Sequence, residues 1–226
     1  IKIRKDHVIT TIDRLLPLKF NLLTKRIENN GTPIDGDFLT TLHLQLAEQY
    51  KLSISRDLAA DAALIIARRN SYHPVRTYLA SIKSSLTKQQ WSSIATCCFG
   101  ITDPMANVHL QRQLIALVAR AFKPGCDLHT ALVLQSDKQG IGKSKFWKIL
   151  GGQWFSDSLG DLRNLKEDTL QLHSAWIHEW GEIDRVLGVR MSETLKGFLS
   201  RNWDDVRKPY GRGYEQLKRS CGIVGT

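Results

Sequence analysis

Ala131-Leu132-Val133-Leu134-Gln135-Ser136-Asp137-Lys138-Gln139-Gly140-Ile141-Gly142-Lys143-Ser144-Lys145 is the stretch on which the fold turns. It opens with a continuous apolar run, too short for a helix and suited to a strand buried on both faces. A glycine-bearing loop follows, then a helix over 143–150. Consecutive backbone N–H groups in such a loop, with the helix N-terminus behind them, form a cradle for an anion. Gly140 and Gly142 fall where the chain must pass close to phosphate, Lys143 has the reach for β- and γ-phosphates, and the Ser144 hydroxyl suits magnesium. The expected binding set is therefore Gln139, Gly140, Ile141, Gly142, Lys143, Ser144 and Lys145, with ATP and Mg2+ as cofactors. One position departs from the Walker A pattern: Asp137 stands where the first glycine belongs. A glycine-rich turn with a chance lysine is the plainer alternative, but strand, loop and helix in this order are the context the motif requires.

A nucleotide site also needs an acidic strand. Ala175-Trp176-Ile177-His178-Glu179 reads as a second buried strand, and Glu179, Glu182 and Asp184 lie at or just beyond its end. One such carboxylate holds the metal and another orients the attacking water. Glu179 is the metal-side choice, with Asp184 as a further metal position, and Glu182 is the choice for the base; a solvated acidic loop would look the same, so the assignment stays open. A helix near 192–199 and a last strand over 221–224 complete the order strand, helix, strand, helix, strand, which is that of a parallel α/β sheet.

Upstream, Leu110, Leu114, Leu117, Val118 and Ala121 recur at helical spacing until Lys123-Pro124-Gly125 stops the helix. Residues 13–34 contain short apolar runs broken by turn residues and predict a small hairpin. Two helices follow, one built on Leu39, Leu42, Leu46 and Tyr50, the other capped by Ser55 and burying Leu58, Ala62, Ile65 and Ile66. Pro74 opens the next helix. The expected division is a mostly helical region over 1–105 and an α/β core over 106–226.

The chain has 226 residues, with 32 Lys and Arg against 22 Asp and Glu, a net charge of +10 and a sequence pI near 9.6. That balance points to a polyanionic partner. With 42% hydrophobic and 24% charged residues it is an ordinary globular composition and not a disordered basic tail. The four cysteines, Cys97, Cys98, Cys126 and Cys221, form no paired spacing and read as reduced thiols of a cytoplasmic protein. No apolar run is long enough to span a bilayer and no signal-peptide core follows the N-terminal basic residues, so no membrane partner is expected. The histidines lack ligand spacing, and no zinc site is expected. Residues 131–200 carry as many acids as bases, so the excess positive charge lies elsewhere. Part of it falls between Arg207 and Arg219, where Arg207, Lys208, Arg212, Lys218 and Arg219 face Glu215 alone. Pro209, Gly211 and Gly213 are turn residues, and Tyr210 and Tyr214 are aromatic. Together they read as a hairpin tip with cations and stacking groups for nucleic acid, with Arg207, Lys208, Tyr210 and Arg212 as DNA contacts; a solvated basic loop is the plainer alternative. Arg201 and Arg212 are also candidates for an arginine finger acting on a neighbour's nucleotide.

His73-Pro74-Val75-Arg76, Arg120-x-Phe122-Lys123-Pro124-Gly125-Cys126, Gly140-Ile141-Gly142-Lys143-Ser144, Trp154-Phe155-Ser156-Asp157-Ser158-Leu159, Phe198-Leu199-Ser200-Arg201, Pro209-Tyr210-Gly211-Arg212 and Val224-Gly225-Thr226 occur in this order. The series resembles the virulence-associated protein E family of phage and mobile-element ATPases, over most of 72–226. That family is similar to the superfamily 3 helicases, ring-forming AAA-like motors often fused to or encoded beside a primase. The resemblance implies a P-loop, AAA-like parallel sheet with helices on both faces, ATP hydrolysis coupled to movement on single-stranded or forked DNA, and a hexamer-like homo-oligomeric ring. It also implies a hairpin that grips DNA in the ring channel. The family continues into a polar sensor residue where this chain stops, so the chain is expected to be truncated at its C-terminus. Asp137 motivates an alternative, a nucleic-acid-binding or assembly module that keeps the fold without turnover.

Overall fold

A computed structural model describes residues 5–83, 85–138, 140–159, 165–181, 191–206 and 215–226. In chain order the elements are α1 (Lys5–Leu15), β1 (Leu18–Asn21), β2 (Arg26–Asn29), β3 (Thr32–Pro33), α2 (Gly36–Tyr50), α3 (Arg56–Arg69), α4 (Pro74–Ser81), α5 (Lys88–Ser92), α6 (Ile94–Phe99) and α7 (Pro104–Phe122). Then follow β4 (Leu132–Val133), α8 (Lys143–Gly151), β5 (Phe155–Ser156), α9 (Leu165–Leu172), β6 (Ile177–Trp180), α10 (Met191–Ser200), β7 (Trp203–Val206), β8 (Glu215–Lys218) and β9 (Gly222–Gly225). They form two compact units, Ile1–Thr77 and Tyr78–Thr226.

In the first unit β1, β2 and β3 make an antiparallel meander, one strand more than the predicted hairpin. Leu18 and Phe20 turn one face of β1 toward Val8, Ile12, Leu42, Leu46, Ala62 and Ile66 of α1, α2 and α3. Ser55 caps α3 as its position predicts, its hydroxyl accepting from the Leu58 amide at 3.3 Å. Ile65 and Tyr50, expected in the core, stand at the surface instead. On the meander, Glu28 is buried and accepts from the Asn21 amide at 2.7 Å and from the Tyr72 hydroxyl.

The second unit is α/β. Its sheet has four parallel strands in the order β4-β9-β6-β5, and a separate two-stranded antiparallel ribbon pairs β7 with β8. The chain leaves β4, jumps to the far edge at β5, and steps back through β6 to β9. Right-handed crossovers place the helix of an outward jump on one face and the helices of the return steps on the other. The contacts agree. Gly151 of α8 packs on Ile177, and a Cβ added at Gly222 would lie 2.4 Å from Leu117 of α7, so α7 and α8 cover one face. Leu172 of α9 with Leu195 and Phe198 of α10 packs on Trp180 and Ile223 of the other.

The N-terminal signals of α7 lie upstream of its periodic run: Asp103 accepts from the Met105 amide at 2.9 Å and Pro104 fills the first turn. Asn107 then accepts from the Ala95 amide at 2.8 Å and fastens α6 to α7. Through such contacts α5 and α6 group with the sheet unit, whereas a boundary at 105 cuts them from it. β4 departs from the expected strand buried on both faces. It is two residues long and occupies a sheet edge, with Val133 39% exposed. An edge strand has a neighbour on one side only, and its apolar run is covered correspondingly less.

Candidate functional site

The carboxyl ends of parallel strands are where α/β sheets gather ligands, because loops leave there and helix N-termini point there. In this chain the loop from Leu134 to Gly142 leaves that end of β4. Leu132, Val224 and Glu179 stand in register across β4, β9 and β6. Glu179 therefore lies two strand spacings, about 10 Å, from the strand that feeds the loop. Alternation along β6 puts Glu179 on the same face as Ile177, the face that α8 covers. It is buried, 2% exposed, and its Oε1 accepts from the Thr226 hydroxyl at 2.7 Å. The Leu134 amide donates to Gly225 and the Thr226 amide to Trp180, extending the ladder to the site.

The loop has the local geometry an anion cradle needs. Gly140 and Gly142 have φ of +76° and +96°, in the left-handed region that side chains with a Cβ rarely adopt, and among the described residues nothing beyond the chain neighbours lies within 4 Å of a Cβ built at either. Gly142 is the N-cap of α8 and, among the described residues, no side chain caps that helix, whose hydrogen bonding starts with the Phe146 amide donating to Gly142 at 3.0 Å. The first-turn amides of Lys143, Ser144 and Lys145 thus have no side-chain acceptor among the described residues, at the positive end of the helix dipole. Lys143 is half-buried; Ile141, Ser144 and Lys145 are exposed. Asp137 is exposed beside a turn in which Ser136 accepts from the Lys138 amide at 3.2 Å. These residues fit a phosphate group: open glycines, uncapped amides, one lysine and a hydroxyl at the helix start. Of the metal set, Ser144 and Glu179 are described, an oxygen pair of the kind magnesium takes. Among the described residues no group of three His, Cys, Asp or Glu side chains is arranged to hold a metal by itself. Gln139, Glu182 and Asp184 lie outside the described residues.

The predicted basic hairpin has its two strands. β7 and β8 pair from Trp203 with Lys218 to Val206 with Glu215, and the segment joining them contains Arg207, Lys208, Tyr210 and Arg212, all outside the described residues. Arg219 is a correction. Counted among the cations of an exposed segment, it is 2% exposed, and its guanidinium meets both oxygens of Asp204 at 2.7 Å, donates to the Phe198 carbonyl and stacks 4.7 Å from the Phe198 ring centre. His173 lies 3.2 Å from the same carboxylate. Burial pushes the Asp204 carboxyl up, but Arg219 and His173 outweigh it and hold it at about 2. The signal for this cluster was in the alternation of β7, which puts Asp204 on the ribbon's buried face beside Val206. Arg120 was also missed. It is buried, and its Nη2 donates to the carbonyls of Leu128 and Arg201 at 3.4 Å and to Asn202 at 3.2 Å. The side chain of Arg201 itself is exposed.

Next to Glu179 in β6, His178 is wholly buried, with Nε2 at 3.3 Å from the Leu172 carbonyl, and burial lowers its pKa to about 4. Burial likewise pushes the Cys221 thiol up to about 11. No helix among the described residues is long and apolar enough to cross a membrane.

No curated protein matches the chain. Residues 79–226, nearly the whole of the second unit, match the family model of the virulence-associated protein E-like domain, and the chain belongs to that family.

Proposed function

We propose that the protein is a P-loop ATPase of a phage, plasmid or other mobile element, coupling ATP hydrolysis to movement on single-stranded or forked DNA. The observation that carries the reading is the pairing of a loop with two left-handed glycines, opening into an uncapped α8, with a buried Glu179 in register with the strand that feeds the loop. In this reading the loop amides and Lys143 hold the phosphates, with Gln139, Gly140, Ile141, Gly142 and Lys145 around them. Ser144 and Glu179, with Asp184, hold magnesium, which supplies charge neutralisation when bound. Glu182 orients water, and Arg201 serves a neighbouring subunit's nucleotide in a ring. Arg207, Lys208, Tyr210 and Arg212 grip DNA by phosphate contact and base stacking. The strand order supports this: β9, which runs from the hairpin to Thr226, lies between the loop strand and the acidic strand.

Steady-state phosphate release with and without single-stranded DNA tests it. DNA-stimulated turnover that falls at least a hundredfold in Glu179→Gln supports the motor, and turnover unaffected by that change refutes the site. Asp137 at the loop's entrance favours a second reading, a module that binds nucleotide and nucleic acid without hydrolysis; nucleotide binding with no phosphate release on any DNA selects it.

A further inference from the structure

Arg120, in the last turn of α7, is a buried cation that no carboxylate bonds among the described residues. It is 2% exposed, and its hydrogen bonds there all come from one nitrogen, Nη2, at the long end of the usual range: 3.4 Å to the carbonyls of Leu128 and Arg201 and 3.2 Å to Asn202. Its Nε is buried and meets no acceptor among the described residues. The carboxylate whose charge reaches it, Asp204, is already held at both oxygens by Arg219 and also by His173. Two guanidiniums therefore share one carboxylate in this part of the unit. Arginine does not shed its proton to escape burial, and an uncompensated charge in a protein interior is strongly destabilising.

A cleft lies against both side chains. Arg120, Arg219 and Thr130 give it polar atoms, and Leu128, Leu199 and Ile223 give it apolar walls. It sits at the amino end of β9, whereas the phosphate loop and Glu179 gather at the carboxyl end, about 13 Å along the strand from Gly222 to Thr226. Cys221 also lines it, but burial holds that thiol protonated, with its pKa pushed up to about 11, so it brings no negative charge. The space is narrow and admits a body about the size of a water molecule. A nucleotide or a phosphate group is too large for it. Water fits, but leaves the charge standing.

We infer that this cleft is a binding site for one monatomic anion, a halide such as chloride, held by the guanidiniums of Arg120 and Arg219 against the apolar wall. A halide suits the place because it is spherical and accepts N–H groups from several directions at once, and because both it and a guanidinium are weakly hydrated and tolerate leucine and isoleucine as neighbours. Once bound, it neutralises Arg120 and fastens the end of α7 to the Leu128 carbonyl, to Arg201 and Asn202, and to the start of β9. The site is separate from the nucleotide loop and does not depend on the ATPase reading.

The test is thermal unfolding of the whole chain, followed by tryptophan fluorescence, at constant ionic strength with sodium gluconate exchanged for sodium chloride or sodium bromide. Gluconate is too bulky to enter the cleft. The wild-type midpoint should climb and then saturate, by about 4 °C once chloride stands tenfold above its Kd, and bromide should act as chloride does. Arg120→Met keeps about the same volume without the charge, and its midpoint should be indifferent to the halide. The position of the ion is read separately, from the anomalous scattering of bromide in crystals of the wild type grown from sodium bromide, where the signal should lie against Arg120 and Arg219. A wild-type midpoint that does not respond, an equal response in a folded Arg120→Met, or bromide found only outside the cleft overturns the inference. The crystal measurement uses no variant, so it decides the matter even if Arg120→Met does not fold.

Discussion

Acid should destabilise the second unit first through His178, at higher pH than the paired carboxyl of Asp204 takes up its proton. An imidazole in the unfolded chain takes up its proton near 6.5, whereas burial holds His178 at about 4 in the fold. Between those values the unfolded state binds more protons at this side chain, so its contribution to stability falls as pH falls, starting near 6.5 and levelling off near 4. Above 6.5 both states are neutral and the histidine contributes no slope. The gap is worth about 3 kcal/mol at about 1.4 kcal/mol per pH unit. Among the described residues no carboxylate pairs with it: Nε2 faces the Leu172 carbonyl, and the neighbouring Arg219 guanidinium is itself a cation. Urea unfolding of the wild type and of His178→Gln, followed by tryptophan fluorescence at half-unit steps from pH 4 to 7.5, measures the effect. All six tryptophans lie in Tyr78–Thr226, so the signal comes from the second unit and is blind to His73 in the first. Glutamine keeps an amide able to meet Leu172 but does not titrate. The wild type should lose about 3 kcal/mol more than the variant between pH 6.5 and 4. Parallel stability curves would refute the reasoning, since a histidine that accepts its proton without cost is not buried as described.

Other outcomes follow from particular contacts. Gly142→Ala places a Cβ at φ +96° and should cost about 1–2 kcal/mol in thermal unfolding, together with most of the affinity for MgATP. Trp176→Phe removes the indole donor to the Leu117 carbonyl, a buried bond of 2.9 Å, and should lower the unfolding free energy by about 2–3 kcal/mol in urea. With a thiol reagent at neutral pH, Cys97 and Cys98 should react within the native state, while Cys221, buried and with its pKa raised to about 11, should react only on unfolding.

Much of the second unit could be read from local chemistry. The runs at 175–179 and 221–224 are strands because β6 and β9 are central, with every residue buried, and a central parallel strand writes itself as a continuous apolar run. The Gly140 and Gly142 positions announced a turn that only glycine makes easily. The misreadings share a cause, which is that pairing is non-local. β4 looks like β6 in sequence but lies at the edge, and nothing within Ala131–Leu134 says which neighbours a strand will have. β5 is two residues long and carries no period at all. Arg219 counts as one more cation until the ribbon register brings Asp204 beneath it, and Glu179 counts as one acid among three until Thr226 is seen bonded to it. The family motifs survive such ambiguity because several short blocks in a fixed order carry information that no single one does.

The central claim is that Lys143 and the loop before it bind nucleotide, and calorimetric titration of MgATP into the wild-type chain and Lys143→Ala tests it most directly. The account predicts saturable binding by the wild type and none by the variant at the same concentrations, with the variant's unfolding midpoint unchanged. Equal affinities in the two proteins would contradict it.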